Sequence, residues 1–179
     1  MPQTSWTNKK ELNMIPRKTI AGLSLSAAAL VALMVQEGYT DRAVIPVTGD
    51  VPTNGFGSTT HLDGTPVGLG DTTTPVKAVQ RTFAYTQAQD AKIKRCVTAP
   101  LHQGEYDLMA DFGYQYGINA LCKSSIVAKA NAGDYQGSCE AYLRYRFVAG
   151  YDCSTPGNKR CYGVWTRQQQ RYAACMALQ

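Results

Sequence analysis

Hydrophobic and polar positions change their spacing several times along this chain. Thr19 to Gln36 carries no charged side chain and is built mostly from Ala, Leu, Val, Gly and Ser. From residue 38 to 72 helical spacing disappears. Glycine stands at 38, 49, 55, 57, 64, 68 and 70, with Pro46, Pro52 and Pro66, a density that predicts tight turns and short strands. Thr74-Pro75 then reads as an N-cap followed by the first helical residue. Val76, Val79, Phe83 and Ala84 follow at helical spacing, and the pattern runs to about Val97. Leu101, Glu105, Leu108, Phe112 and Tyr116 mark a second helix face. Ser124 or Ser125 caps a third helix ending at Gly133, and Asp134 caps a fourth with Tyr135, Cys139, Tyr142, Leu143 and Phe147 in register. A loop bounded by cysteines, 152–162, leads to a last helix from Gly163 to about Ala177. The predicted fold is α+β: a small β-rich lobe, a connecting helix and a larger helical lobe.

The uncharged run is about the length that crosses a bilayer core. Lys9, Lys10, Arg17 and Lys18 precede it against one Glu11, which puts the N-terminus in the cytoplasm and the rest outside. Its small and hydroxylated residues gain little from lipid, so residues 1–36 read as a basic flank and a weak anchor ahead of a domain at 37–179. Two alternatives stay open. Ser26-Ala27-Ala28 offers a small-residue cleavage site, and the end of the run has the character of a core helix.

Charge and cysteine usage narrow the class. The 179 residues carry a net charge of +5, which favours an anionic partner such as lipid or cell-wall polymer. There is no long Lys/Arg run and no nucleic-acid motif, so nucleic acid is not expected. Cys96, Cys122, Cys139, Cys153, Cys161 and Cys175 form no CxxC pair or zinc-type cluster, so neither metal nor cofactor is expected. An even count predicts three disulfides in an oxidising compartment. Cys153 and Cys161 flank a short turn and are placed to pair; the other pairings stay open.

Glycoside hydrolysis needs an acid for the leaving oxygen and a second group that activates water or stabilises positive charge. A general acid works best partly buried among apolar neighbours. Glu37, at the end of the apolar run, is the candidate acid. Asp50 and Thr53, in a turn braced by Pro and Gly, are candidates for holding water, with the hairpin Thr53 to Thr60 flooring a cleft. Gly55 and Gly57 allow close backbone approach to a glycan, and Phe56, Tyr114 and Tyr116 are candidates for stacking on sugar rings. Arg144, Arg146, Arg167 and Arg171 are candidates for wall carboxylates or phosphates. His61 and His102 have no obvious partners, and no Ser/His/Asp or Cys/His order supports a peptidase.

Glu37-Gly38 followed by Pro52-Thr53-Asn-Gly55-Phe-Gly57 resembles the Glu…Asp…Thr-x-Gly-x-Gly signature of phage-type lysozymes, glycoside hydrolase family 24. Phe112-Gly-Tyr-Gln-Tyr-Gly117, Ala132-Gly-Asp-Tyr135 and Gly163-Val-Trp-Thr-Arg167 resemble later segments of that family in the same order. The resemblance implies a lysozyme-like fold and a monomeric endolysin. It would cleave the β-1,4 bond between N-acetylmuramic acid and N-acetylglucosamine with inversion. It also implies a signal-arrest-release anchor, tethered in the inner membrane facing the periplasm and then released. One departure matters. The family's Asp stands nine residues after Glu and six before Thr, where this chain has Pro46 and Val47. Asp50 is the nearest replacement, and Asp41, beside Arg42, is a second candidate. Without that Asp, a lytic transglycosylase using Glu37 alone is the alternative, and an anchored, non-enzymatic peptidoglycan-binding protein is another.

Overall fold

A computed structural model describes residues 16–46 and 49–179. The basic flank up to residue 15, and Val47 at one of the two departure positions, lie outside the described residues.

The uncharged run does not form one helix. Lys18 makes a two-way backbone bridge with Leu101 at 2.8 and 2.9 Å, a single 3₁₀ turn covers Ile20–Gly22, and Leu23 enters the core at 1% exposure. Ser26 then caps α1 (Ala27–Glu37), its Oγ accepting from Ala29 N at 3.1 Å. Ser26 N and Oγ also donate to the two carboxylate oxygens of Asp107, at 2.9 and 2.7 Å. Of α1 only Leu33 is buried, while Val31 and Val35 stay exposed.

The β lobe pairs β1 (Thr40–Val44) with β2 (Thr53–Gly55) antiparallel. Thr40 stands opposite Gly55 and Val44 opposite Thr53, so the ladder is irregular between them. Backbone bridges from Asn54 to Ser58 and from Thr60 to Pro66 continue the turns.

Helix α2 (Pro75–Cys96) spans the two lobes, with Thr74 as its cap and Pro at the first turn. Its buried face differs from the predicted one. Ala78, Arg81 and Thr82 are buried, whereas Val76, Val79 and Phe83 are exposed. The reason is Gly55, where a Cβ would stand 2.8 Å from Ala78 Cβ. The hairpin lies so close to α2 that only a small residue fits at position 78, while the long Arg81 side chain runs on to Asn54.

The helical lobe contains α3 (Gln103–Tyr116), α4 (Ile118–Cys122), α5 (Ser125–Asn131), α6 (Tyr135–Ala141) and α7 (Tyr162–Met176). Its core is centred on Tyr106, Phe112, Leu121, Ile126 and Tyr142. Ser124 and Asp134 cap α5 and α6 as predicted. The short α4 was not predicted. The fourth helical register, predicted to reach Phe147, stops at Ala141. A 3₁₀ turn follows at Tyr142–Arg144, and Phe147 belongs to a two-residue strand, β3 (Phe147–Val148), paired with β4 (Tyr151–Asp152). The bond from Cys153 N to Arg146 O, 2.8 Å, fastens that hairpin.

All six cysteines are paired: Cys96–Cys122, Cys139–Cys175 and Cys153–Cys161. The first ties α2 to α4 and the second α6 to α7. The third closes the short loop anticipated from spacing.

Candidate active site

Glu37 is the last residue of α1. The helix stops there because Gly38 takes a φ of 72°, which side chains resist. The Glu37 side chain is one-quarter exposed, and its Oε1 accepts from Arg167 Nη1 at 3.3 Å. Its Oε2 faces the hairpin. A Cβ at Gly57 would lie 3.7 Å from that oxygen, with nothing else within 4 Å.

Arg167 is held from behind. Its Nη2 donates to Asp111 Oδ1 at 2.6 Å. One turn along α7, Arg171 donates from Nε to Asp111 Oδ2 at 2.7 Å and from Nη1 to Gln115 Oε1 at 2.7 Å. The Arg171 side chain is 2% exposed. Burial pushes its pKa down, and the Asp111 charge works against that fall. The expectation that Arg167 and Arg171 meet wall anions is therefore corrected: both point inward, onto Asp111. Arg146 pairs with Asp152 at 3.3 Å, and Arg144 is exposed.

Beside Glu37 a groove of about 340 Å³ is lined by residues 57–62, Arg81, Ala84, Tyr85 and Tyr114. Tyr114 donates to Phe56 O at 3.0 Å and meets Tyr85 edge-on at 5.4 Å. Burial, then the Glu37 charge, raises its pKa, so it remains a neutral donor. Tyr114 and Gly57 thus border both the groove and the carboxylate.

The other predicted residues fall elsewhere. Gly55 is buried at the end of β2, and its missing side chain serves packing on Ala78 and Arg81. The Phe56 ring packs on Tyr39 at 5.5 Å. Tyr116 stacks on Phe112 at 4.6 Å and accepts from Gln168 at 2.8 Å, inside the helical lobe; it does not line the groove. Thr53 is half-buried opposite Val44. Asp50 is exposed in the connection from β1 to β2, its Oδ1 accepting from Val51 N at 2.9 Å. In strand register it lies at the Thr53 end of the hairpin, whereas Glu37 lies at the Gly55 end. Asp41 is exposed on β1 and forms no ion pair with Arg42 among the described residues. His61, for which no partner was foreseen, contacts Asp71 at 3.0 Å. His102 occupies the N-cap position of α3, its backbone N donating to Glu105 at 2.8 Å.

The phage lysozyme family model matches residues 35–171. The chain belongs to the phage lysozyme family. It is accordingly a glycoside hydrolase, and its relatives agree. The endolysin of Salmonella phage P22 is 28% identical over 130 residues, 73% of this chain and 88% of that protein. The SAR-endolysin of Escherichia phage 933W is 30% identical over 66% of this chain and 68% of its own length. Among solved structures, an endolysin from Escherichia coli O157:H7 phage FAHEc1 superposes with a TM-score of 0.73 at 25% identity. That match covers 87% of this chain and 94% of the endolysin. The muramidase domain of SpmX from Asticaccaulis excentricus, at 17% identity and a TM-score of 0.70, covers 86% of this chain and 98% of its own and shares the fold.

Sequence reasoning missed Asp111, Arg81 and Asn54. Asp111 carried a weak signal. It is a lone acid between Leu108 and Phe112 on the predicted inner face of α3, with Arg167 and Arg171 one turn apart on α7.

Proposed function

We propose that this lysozyme is an endolysin muramidase, cleaving the β-1,4 bond between N-acetylmuramic acid and N-acetylglucosamine with Glu37 as general acid. One observation carries the reading. Glu37 has one oxygen tied to Arg167 and the other turned to the side-chain-free surface of Gly57. Arg167 fixes the carboxyl orientation, and Oε2 is the oxygen from which a proton reaches the leaving glycosidic oxygen. Gly57 leaves room for that oxygen, and Tyr114 supplies a neutral hydroxyl at the edge of the groove. Asp50 and Thr53 activate the attacking water from the hairpin. An inverting pair stands about 6.5–9.5 Å apart to leave room for water.

A second reading has a specific observation behind it. Asp50 is exposed, engages Val51 N and sits at the far end of the hairpin register from Glu37. A lytic transglycosylase uses one acid and the substrate's own hydroxyl. Mass spectrometry of fragments from purified Gram-negative peptidoglycan separates the two. Reducing N-acetylmuramic acid ends are expected; anhydro-muramic ends would remove Asp50 and make Glu37 the sole acid.

Residues 19–36 form the tether in this reading, holding the protein in the inner membrane before release into the periplasm. The uncharged run and the similarity to the SAR-endolysins of Escherichia phages Mu and 933W support it. No helix among the described residues is long and apolar enough to cross a membrane. The form with α1 packed on Asp107 and the tethered form are therefore mutually exclusive, and Glu37 is withheld from the domain while tethered. Dissipating the membrane potential should move the uncleaved protein into the periplasmic fraction. A mature N-terminus near Ala28 would instead mark a cleaved signal peptide.

A further inference from the structure

The hairpin that interrupts the helical lobe takes no part in the site. Strands β3 and β4 pair Phe147 with Asp152 and Val148 with Tyr151, so Phe147 lies on one face and Val148 with Tyr151 on the other. Neither face is covered. All five residues from Phe147 to Tyr151 are exposed, Phe147 at 56% and Tyr151 at 46%, and none of them joins the core. A two-stranded hairpin of this length is not stable by itself. This one is fastened by the Cys153–Cys161 disulfide and by Cys153 N donating to Arg146 O. The fold thus holds an uncharged tip, Phe-Val-Ala-Gly-Tyr, out in water. Apolar surface held out in one place marks an interaction site.

The turn points the same way. Ala149 and Gly150 take φ of 48° and 81°, a pattern in which Asn or Asp suits the first position better. Ala149 is the one residue other than glycine with a positive φ among the described residues. An apolar side chain stands where a polar one would relieve the backbone.

The segment is also cationic. Residues 144–162 hold Arg144, Arg146, Lys159 and Arg160 against one acid, Asp152, which Arg146 engages at 3.3 Å. Arg160 lies over the Tyr151 ring at 3.9 Å, and Arg146 over the Phe147 ring at 5.3 Å. An apolar tip flanked by cations matches the interfacial layer of an anionic bilayer. Rings and aliphatic groups enter among the acyl chains, and guanidinium groups stay at the phosphates. A second copy of this chain would bring like charges together. A sugar or peptide ligand is gripped by a concave site with polar groups, which a convex turn of Phe, Val, Ala and Gly does not provide.

We propose that the 146–152 hairpin is a membrane-contact element. It seats the folded enzyme on an anionic phospholipid surface through Phe147, Val148 and Tyr151, with Arg160 at the headgroups. It is separate from residues 19–36 and acts in the form whose α1 is packed in the domain.

The test is co-sedimentation of the full chain with vesicles of phosphatidylglycerol and phosphatidylcholine in equal parts. Phe147→Ser with Val148→Ser should lower the partition coefficient roughly 10-fold or more, the size of one aromatic side chain withdrawn from an apolar phase. Lys159→Gln with Arg160→Gln should lower it by a similar factor at low salt, and wild type should bind pure phosphatidylcholine far more weakly. Unchanged partition in the serine variant, or equal binding of wild type to both vesicles, would overturn the proposal. So would a variant that binds vesicles normally but loses affinity for purified wall sacculi or for its own second copy.

Because residues 19–36 can also bind lipid, wild type is examined by NMR on vesicles carrying a spin-labelled lipid. Broadening of the Val148 to Tyr151 amides supports the hairpin, whereas broadening confined to residues 19–36 refutes it. Turnover of soluble wall fragments by the serine variant should equal wild type. Absence of turnover in wild type would sink the muramidase reading and leave the vesicle result standing.

Discussion

Glu37→Gln is expected to lower kcat on peptidoglycan by roughly 10³-fold, within the range attributed to general acid catalysis. The amide retains a carbonyl oxygen to accept from Arg167, and the side chain it replaces is already one-quarter exposed. The variant should therefore melt close to wild type. This separates the acid from a merely structural carboxylate: a loss of turnover with an unchanged melting curve is the signature of a residue that gives up a proton. Lysis at near-wild-type rate would end the assignment, because no other carboxylate among the described residues faces Gly57.

Asp111→Ala should have the largest effect on stability. Asp111 is the shared acceptor of Arg167 and Arg171, and removing it leaves Arg171, 2% exposed, without its counter-charge. Breaking a buried pair from one side costs about 3–5 kcal/mol. In a domain of this size that lowers Tm by roughly 10 °C. Activity on wall fragments should also fall below what the unfolded fraction explains, since Arg167 then loses the contact that aims it at Glu37. Asp111→Asn keeps an oxygen for one guanidinium and should fall between. A Tm for Asp111→Ala within about 1 °C of wild type would show that water or the two glutamines replace the carboxylate fully.

The two variants probe different parts of one device. Glu37 stands on α1, its clamp on α7 and the clamp's anchor on α3, so three elements from distant parts of the chain determine where one carboxyl points. The hairpin contributes the opposite wall, and α2 sets its height through Ala78 and Arg81. A glycine at 55 is required there for two reasons: its φ of 66°, and the 2.8 Å approach that a Cβ would make to Ala78.

Much of this was legible along the chain, wherever the cause is local. Thr74-Pro75, Ser124 and Asp134 announce helices because a cap acts within three residues of itself. Glu37-Gly38 announces a helix end carrying an acid, because glycine alone takes that backbone conformation readily. The glycine-rich stretch announces turns, and Cys153 with Cys161 announces a closed loop, since eight residues leave little choice. Together with the family signature, these local features set the fold class and the candidate acid.

Only the tertiary structure decided the rest, because those features depend on residues far apart in sequence. Periodicity assigned Val76, Val79 and Phe83 to an inner face of α2, yet the hairpin packs on Ala78 and Arg81, and a long side chain there reaches Asn54. The fourth helix was extended through Phe147 because its apolar spacing continues. A hairpin closed by Cys153 and Cys161 takes the chain over at that point. Arg167 and Arg171 read as candidates for wall anions until Asp111, 56 and 60 residues away, is brought beneath them. Charge pairing across such separations leaves no mark in local spacing. The candidate acid was therefore visible in the sequence, while the groups that orient it, and the arginine buried against the hairpin, emerged only from the packing.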